Sequence, residues 1–342
     1  MKKCILLFVI LVCARGAEVE WVRAGVTYAR RAERVNTNAP VWGMRGGLQF
    51  ALHPAGFSGG DGGPRGLVRI GYPTLSNAQY DLINFIAVEP IVRGRKGFSE
   101  LEKSSVDGKP GKLMWTGTSS APKDGLDGGE VRKLQEGVEE LVLNVSVERF
   151  DNGAHVRLRL SQRSDAPGEL RLMVEAVEGS AAIESCILTA TMGNKARARL
   201  LNLKEGPVSS LQLYPDYKEN HFAPHKIFGV ERMMRLGNGD VFVSIENDEE
   251  NPASVQPFGR AHFWDYRGRK VTQYWRKPAA EVSENFVCAV NGRHVYWGSK
   301  RPIPGGISFE NFELREPFRS GQTFIFGIRP GGGEGRFVEG SR

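Results

Sequence analysis

The chain is poor in the residues that build the most recognisable sites. It has four cysteines and six histidines in 342 residues. Two of those cysteines, Cys4 and Cys13, sit in the first apolar run. No CxxC pair and no cysteine-rich cluster is present, which excludes a zinc ribbon or a disulfide-framework miniprotein. There is no HExxH, no serine-centred nucleophile elbow and no phosphate-binding or dinucleotide glycine fingerprint. No cofactor and no metal is therefore expected. Dense Lys/Arg runs are missing although the net charge is +7, and with no nucleic-acid motif either, nucleic acid is set aside as a partner. The scattered positive charge suits an acidic partner such as a polyanionic glycan, and equally suits a generic basic exported protein. Long apolar runs are lacking too: the longest early one, CILLFVILVC at 4–13, is too short to span a bilayer.

That short run has another meaning. Met1-Lys2-Lys3 is a basic start, and Ala14-Arg15-Gly16 places small residues where a signal peptidase reads. Residues 1–16 are expected to be a secretory signal peptide, with the mature chain starting near Ala17 in a secreted or periplasmic location. Lipid anchoring at Cys13 is less favoured, because Val12 is bulky for a lipobox. No later stretch predicts a transmembrane span. Cys186 and Cys288 remain in the mature chain, both inside apolar strand patterns. They form either one disulfide or two separate buried thiols.

What is abundant is glycine, 42 residues, with 18 prolines, as short strands joined by tight turns require. From 141 to 328 alternating patterns follow one another without a long helical one. Hairpins are expected at 141–150 with 155–161 around Asp151-Asn152-Gly153, and at 231–236 with 241–245. Two more are expected at 261–266 with 271–275, and at 286–290 with 294–297 around Asn291-Gly292. The apolar segment 80–92, carrying Glu89 near its end, predicts a central strand buried on both faces. The fold class is all-β, a large antiparallel β-sandwich over 17–330, followed by a disordered glycine-rich tail at 331–342.

Four groups of residues carry candidate chemistry. The first is the loop 214–225, with Tyr214, Tyr217, His221 and His225. Two of the six histidines fall within five residues there, and imidazole works as acid or base near neutral pH. Pro224 disfavours the helix that a His-x3-His metal pair prefers. The same loop also reads as a polar surface connection. The second is the late strand around 310–316. Period two places Asn311 and Glu313 on one face and Glu310 with Phe312 and Leu314 on the other, which favours Glu313 over Glu310 as a carboxylate base; an ordinary solvent face is the alternative. The third is the glycine-rich region 53–69, where Arg65 and Arg69 could pair with a carboxylate or sulfate, or serve a purely structural loop. The fourth is a set of aromatics, including Trp264, Trp275 and Trp297, with His262 on the face of Trp264. These suit stacking on pyranose rings, or sheet core and cross-strand pairing.

An Arg/Gly-rich early loop, a central histidine loop (NHFAPH, 220–225) and a late carboxylate strand (ENFELREP, 310–317), in that order, loosely resemble the galactose-mutarotase-like proteins. The resemblance implies a β-supersandwich in which a central histidine, His221 or His225, is the acid and a late glutamate, Glu313 or Glu310, the base. Polysaccharide lyases share related sheets and use His and Tyr, which keeps Tyr214 and Tyr217 in play. The expectation is a carbohydrate partner, with anionic polysaccharides among the candidates, and proton transfer as epimerase or lyase; a non-catalytic glycan-binding or envelope module is the alternative.

Overall fold

A computed structural model describes residues 19–24, 41–57, 62–117, 126–259 and 262–331. The expected signal peptide, and the tail from 332 onward, lie outside the described residues. Within them, every paired strand is antiparallel, and the strands form two large sheets. The first sheet runs Trp21–Val22, Trp42–Met44, Gln49–Ala51, Leu67–Tyr72, Asp81–Val92, Ser185–Ala190, Ser308–Arg315, Val287–Arg293 and Lys226–Gly229, with Arg95–Lys96 paired to Asp81–Val92. The second runs Gly206–Ser209, Ala198–Leu203, Val241–Asn247, Val271–Lys277, Gln322–Pro330, Glu169–Ala176, Val156–Arg163, Glu139–Val147 and Met114–Thr116, with two short flanking strands. No described helix is long and apolar enough to cross a membrane.

Period two decides which side chains meet between the sheets. In Val156–Arg163 and Glu169–Ala176, Leu158, Leu160, Leu170, Leu172 and Val174 point inward and are fully buried, while Arg157, Arg159 and Arg171 point out. They join Ile86, Val88, Phe309 and Phe312 of the first sheet in one apolar cluster, the core of a β-sandwich. Trp275 fills that core. Its indole N–H donates to the Phe312 carbonyl across the two sheets at 2.9 Å, and its ring meets the edge of Phe326. The Asp151-Asn152-Gly153 turn forms as expected, with Gly153 at φ +90° and the Asn152 amide donating to the Pro90 and Arg95 carbonyls.

Two expected hairpins do not form. Residues 262–266 are a turn rather than a strand, closed by the His262 ring accepting from the Trp264 N–H at 3.1 Å and by the Asp265 carboxylate accepting from the Phe258 N–H at 3.0 Å. Val271–Lys277 pairs instead with Val241–Asn247 and Gln322–Pro330. Likewise Asn291-Gly292 is no turn. It lies inside Val287–Arg293, and a Cβ at Gly292 would sit 2.9 Å from the Ser308 carbonyl oxygen. Close strand approach, not chain reversal, is what requires this glycine. Cys186 and Cys288 are free, buried thiols. Their strands flank Ser308–Arg315 on opposite sides, where Leu314 pairs with both Leu188 and Cys288. A full strand separates the two sulfurs, too far for a disulfide.

Candidate functional site

The face of the first sheet turned away from the core carries a cleft of about 580 Å³. Strand Asp81–Val92 is buried on both faces for two different reasons. Ile86 and Val88 enter the sandwich core, while Phe85 and Glu89 form the cleft floor. Thr191, Asn291, Glu310 and Asn311 complete the floor from neighbouring strands. One wall is the segment holding Lys96, Phe98, Glu100 and Leu101; the other brings Phe222, Ala223 and His225, with Trp264 and Trp297 from two further loops. Apolar rings face solvent at the rim, Trp297 being 47 % and Phe222 37 % exposed. Their centroids lie 5.8 Å apart, and the Arg293 guanidinium stacks under both at 4.9 and 5.1 Å.

A β-bulge sets the chemistry of the floor. Val290 pairs with Phe312, but Gly292 pairs with Phe309, so strand Ser308–Arg315 carries one extra residue there. Phe309 and Phe312 both enter the core, and the two residues between them, Glu310 and Asn311, both line the cleft. This corrects the period-two expectation that grouped Glu310 with Phe312 and Leu314. Thr191 donates to the Asn311 side chain at 2.8 Å, and the Asn311 N–H donates to the Asn291 side chain at 3.1 Å.

His225 and Glu313 meet. His225 Nε2 lies 2.8 Å from Glu313 Oε1, and Arg315 Nε donates to Glu313 Oε2 at 2.7 Å. Glu313 has no exposed side-chain surface and lies behind His225 rather than in the cleft. Burial pushes its carboxyl up. The hydrogen bonds from His225 and Arg315, with the charges of Lys96 and Arg315, overcome this and hold it at about 2. Glu313 is therefore an anion that fixes the orientation of the imidazole ring through Nε2 and leaves Nδ1 without a protein partner among the described residues. Three other carboxyls do line the cleft, Glu89, Glu100 and Glu310. Burial raises Glu89, opposed by Lys96 at 2.6 Å and reinforced by the Glu313 charge. Burial and then the Glu89 charge push Glu100 up to about 7. Burial pushes Glu310 up to about 8, with Arg293 acting in the opposite sense.

Most of the remaining sequence candidates lie elsewhere. His221 is 70 % exposed and bonded to Glu219 and Tyr217, outside the cleft. Tyr217 is thus engaged on the surface, and the buried Tyr214 phenol donates to the Pro224 and Val290 carbonyls to anchor the loop. Arg65 is clamped by Asp107 at 2.6 Å and does not reach the cleft. Arg69 is buried and donates to the Leu52 and Leu67 carbonyls. Burial lowers it to about 10, and its guanidinium supports the Phe85 ring from 5.7 Å. Trp264 lines the cleft; His262 stacks on Phe258 instead. Trp275 belongs to the inter-sheet core and offers no face to a ligand. Lys96, Phe98 and Glu100 line the cleft without any motif or period in the sequence that marks them, and Phe222 and Asn291, though inside the NHFAPH loop and the expected Asn291-Gly292 turn, carry no signal there that marks them as cleft residues. Glu89 carried a usable signal, a carboxylate inside the apolar run 85–92. Among the described residues, no group of three His, Cys, Asp or Glu side chains is placed to hold a metal ion.

Comparison with protein-family models, with curated proteins and with solved structures finds no match for this chain.

Proposed function

We propose that the cleft is a sugar site and that His225 moves a proton there, its imidazole oriented by the buried Glu313 anion. The carrying observation is the 2.8 Å contact between these two side chains at one wall of a cleft edged by exposed aromatic rings. With Nε2 committed to Glu313, Nδ1 is the basic nitrogen available to a hydroxyl. Glu313 acts through the imidazole as a positioning residue, unlike the direct base that the mutarotase-like resemblance implies. Apolar rings at the rim suit the C–H face of a pyranose, and Asn291 and Asn311 suit its hydroxyls.

Epimerisation fits this lining better than β-elimination from a uronate. A lyase must neutralise the substrate carboxylate, yet among the described residues no arginine lines the cleft and its one lysine is held by Glu89. The basic start and short apolar run of residues 1–16, read as a leader, agree with an exported protein.

The test follows neutral monosaccharides by NMR for change of configuration, beside an assay for reducing ends and unsaturated products on neutral and anionic glycans. His225→Ala is expected to lower turnover by about 10²- to 10⁴-fold while sugar binding persists. Binding without any turnover by the wild-type protein would replace this reading with a non-catalytic glycan-binding module. Unchanged turnover in His225→Ala would reject the assignment of the base.

A further inference from the structure

Proton transfer on a sugar needs a donor to match the base, and the cleft floor contains one that period-two reasoning assigned to the wrong face. We propose that Glu310 is that donor, aimed by the β-bulge at an uncharged oxygen of the bound sugar. This rests on the carbohydrate reading of the same cleft.

Three observations carry it. The bulge turns Glu310 into the cleft between two phenylalanines that face the core. Its side chain is nearly enclosed, the residue being 3 % exposed, and Oε2 is buried with no hydrogen-bond partner among the described residues. Buried polar atoms are as a rule satisfied, so an orphaned oxygen in a cleft marks a place that a ligand completes. Finally, no cation among the described residues pairs with it directly. The positive charge of Arg293 acts on it, but that guanidinium already donates to the Val295 and Asn220 carbonyls and lies under Phe222 and Trp297. The other titratable groups facing the cleft are Glu89, Lys96, Glu100 and His225. Lys96 is taken by Glu89. An enclosed carboxyl without a counter-ion holds its proton, in line with its rise to about 8.

In the step this implies, the Glu310 O–H bond breaks and a new O–H bond forms on one sugar oxygen. That oxygen is the ring oxygen, whose bond to the anomeric carbon breaks, while His225 accepts the anomeric hydroxyl proton and the freed O–H pair becomes the second bond of the open-chain carbonyl. No electrons leave or enter, and the Glu310 carboxylate left behind faces the positive potential of Arg293 until the reverse transfer restores it. A ligand carboxylate would lose its hydration here with no free cation to replace it, since no arginine lines the cleft among the described residues and Lys96 is held by Glu89, so the cleft selects neutral sugars over uronates.

The experiment labels glutamate with carbon-13 at the carboxyl, assigns Glu310 by its loss in Glu310→Gln, and titrates the wild-type protein with and without glucose, galactose, mannose and their uronates. The expected result is a Glu310 signal that stays protonated through neutral pH and moves when a neutral sugar binds. Wild-type affinity for that sugar should exceed that for its uronate by at least about 10-fold and fall as pH rises through about 8, a readout that needs no variant. Glu310→Gln, which keeps a donor but has no proton to transfer, should hold neutral-sugar affinity within about 3-fold and lose about 10²-fold or more in turnover. A Glu310 already ionised at pH 6, or a signal unmoved at a saturating sugar, overturns the proposal and leaves the carbohydrate reading standing. Failure of every saccharide to bind removes that reading, and this proposal with it.

Discussion

Replacing Glu310 by Gln should stabilise the protein, by an amount set by pH. The folded carboxyl is raised to about 8 from an ordinary value of 4.5. Below pH 4.5 the group is protonated in both the folded and the unfolded chain and contributes no difference. Between 4.5 and 8 the unfolded chain releases its proton while the folded one retains it, so stability falls as pH rises. Above 8 both states are ionised, and the penalty stays constant at its maximum. Each pH unit in that window adds about 1.4 kcal/mol, so the penalty is about 3 kcal/mol at pH 7 and about 5 kcal/mol from pH 9 upward. Glutamine has nearly the same shape and does not titrate, so the variant escapes this penalty. Urea unfolding of both proteins at pH 4, 7 and 9 measures it. A gain of about 3 kcal/mol at pH 7, relative to the difference at pH 4, moves the midpoint by roughly 1 M for a large domain. A gap between variant and wild type that stays flat from pH 4 to 9 would refute the reasoning, because it would mean that folding leaves this carboxyl's proton affinity unchanged. Stability surrendered at a binding cleft is the usual mark of a group kept for its chemistry.

Glu313 should behave in the opposite sense. Its folded value lies near 2, so its contribution is complete above about pH 4.5 and is lost as pH falls toward 2. Glu313→Gln should cost about 3 kcal/mol at pH 7, leaving His225 and Arg315 without their anion, and the gap to wild type should close in acid unfolding curves. The tryptophans separate structure from binding. Trp275→Ala should cost about 3–5 kcal/mol in denaturant unfolding and leave sugar affinity intact, whereas Trp297→Ala should leave stability within about 0.5 kcal/mol and weaken binding by roughly 2- to 10-fold. The thiols of Cys186 and Cys288 are buried and raised by burial; Ellman's reagent should react with neither until the chain unfolds, and prompt labelling of the native protein would contradict the packing of the first sheet.

Much of the architecture is legible in the chain itself. Alternation in 156–163 and 169–176 marks two paired strands and their inward faces, and Asn152-Gly153 marks the turn before them. The site is only half legible. Residue type and loop context single out His225 and Glu313, but they single out His221 as well, four residues from His225, and no local signal separates the two histidines. His225 lies beside strand Lys226–Gly229, which pairs with Val287–Arg293 at the edge of the first sheet, while His221 remains in the exposed loop. Trp275 and Trp297 likewise look alike in sequence, and one is core while the other is rim.

The sequence by itself determined that this is an all-β sandwich and which strands have an apolar face, because those properties follow from a two-residue period that any short window contains. Tertiary structure decided what the outer face of the first sheet presents. One extra residue opposite Asn291-Gly292 turned Glu310 into the cleft, and pairing between strands far apart in the chain set Glu313 behind His225. Both depend on the register between distant segments, and register is fixed only when the strands pack together.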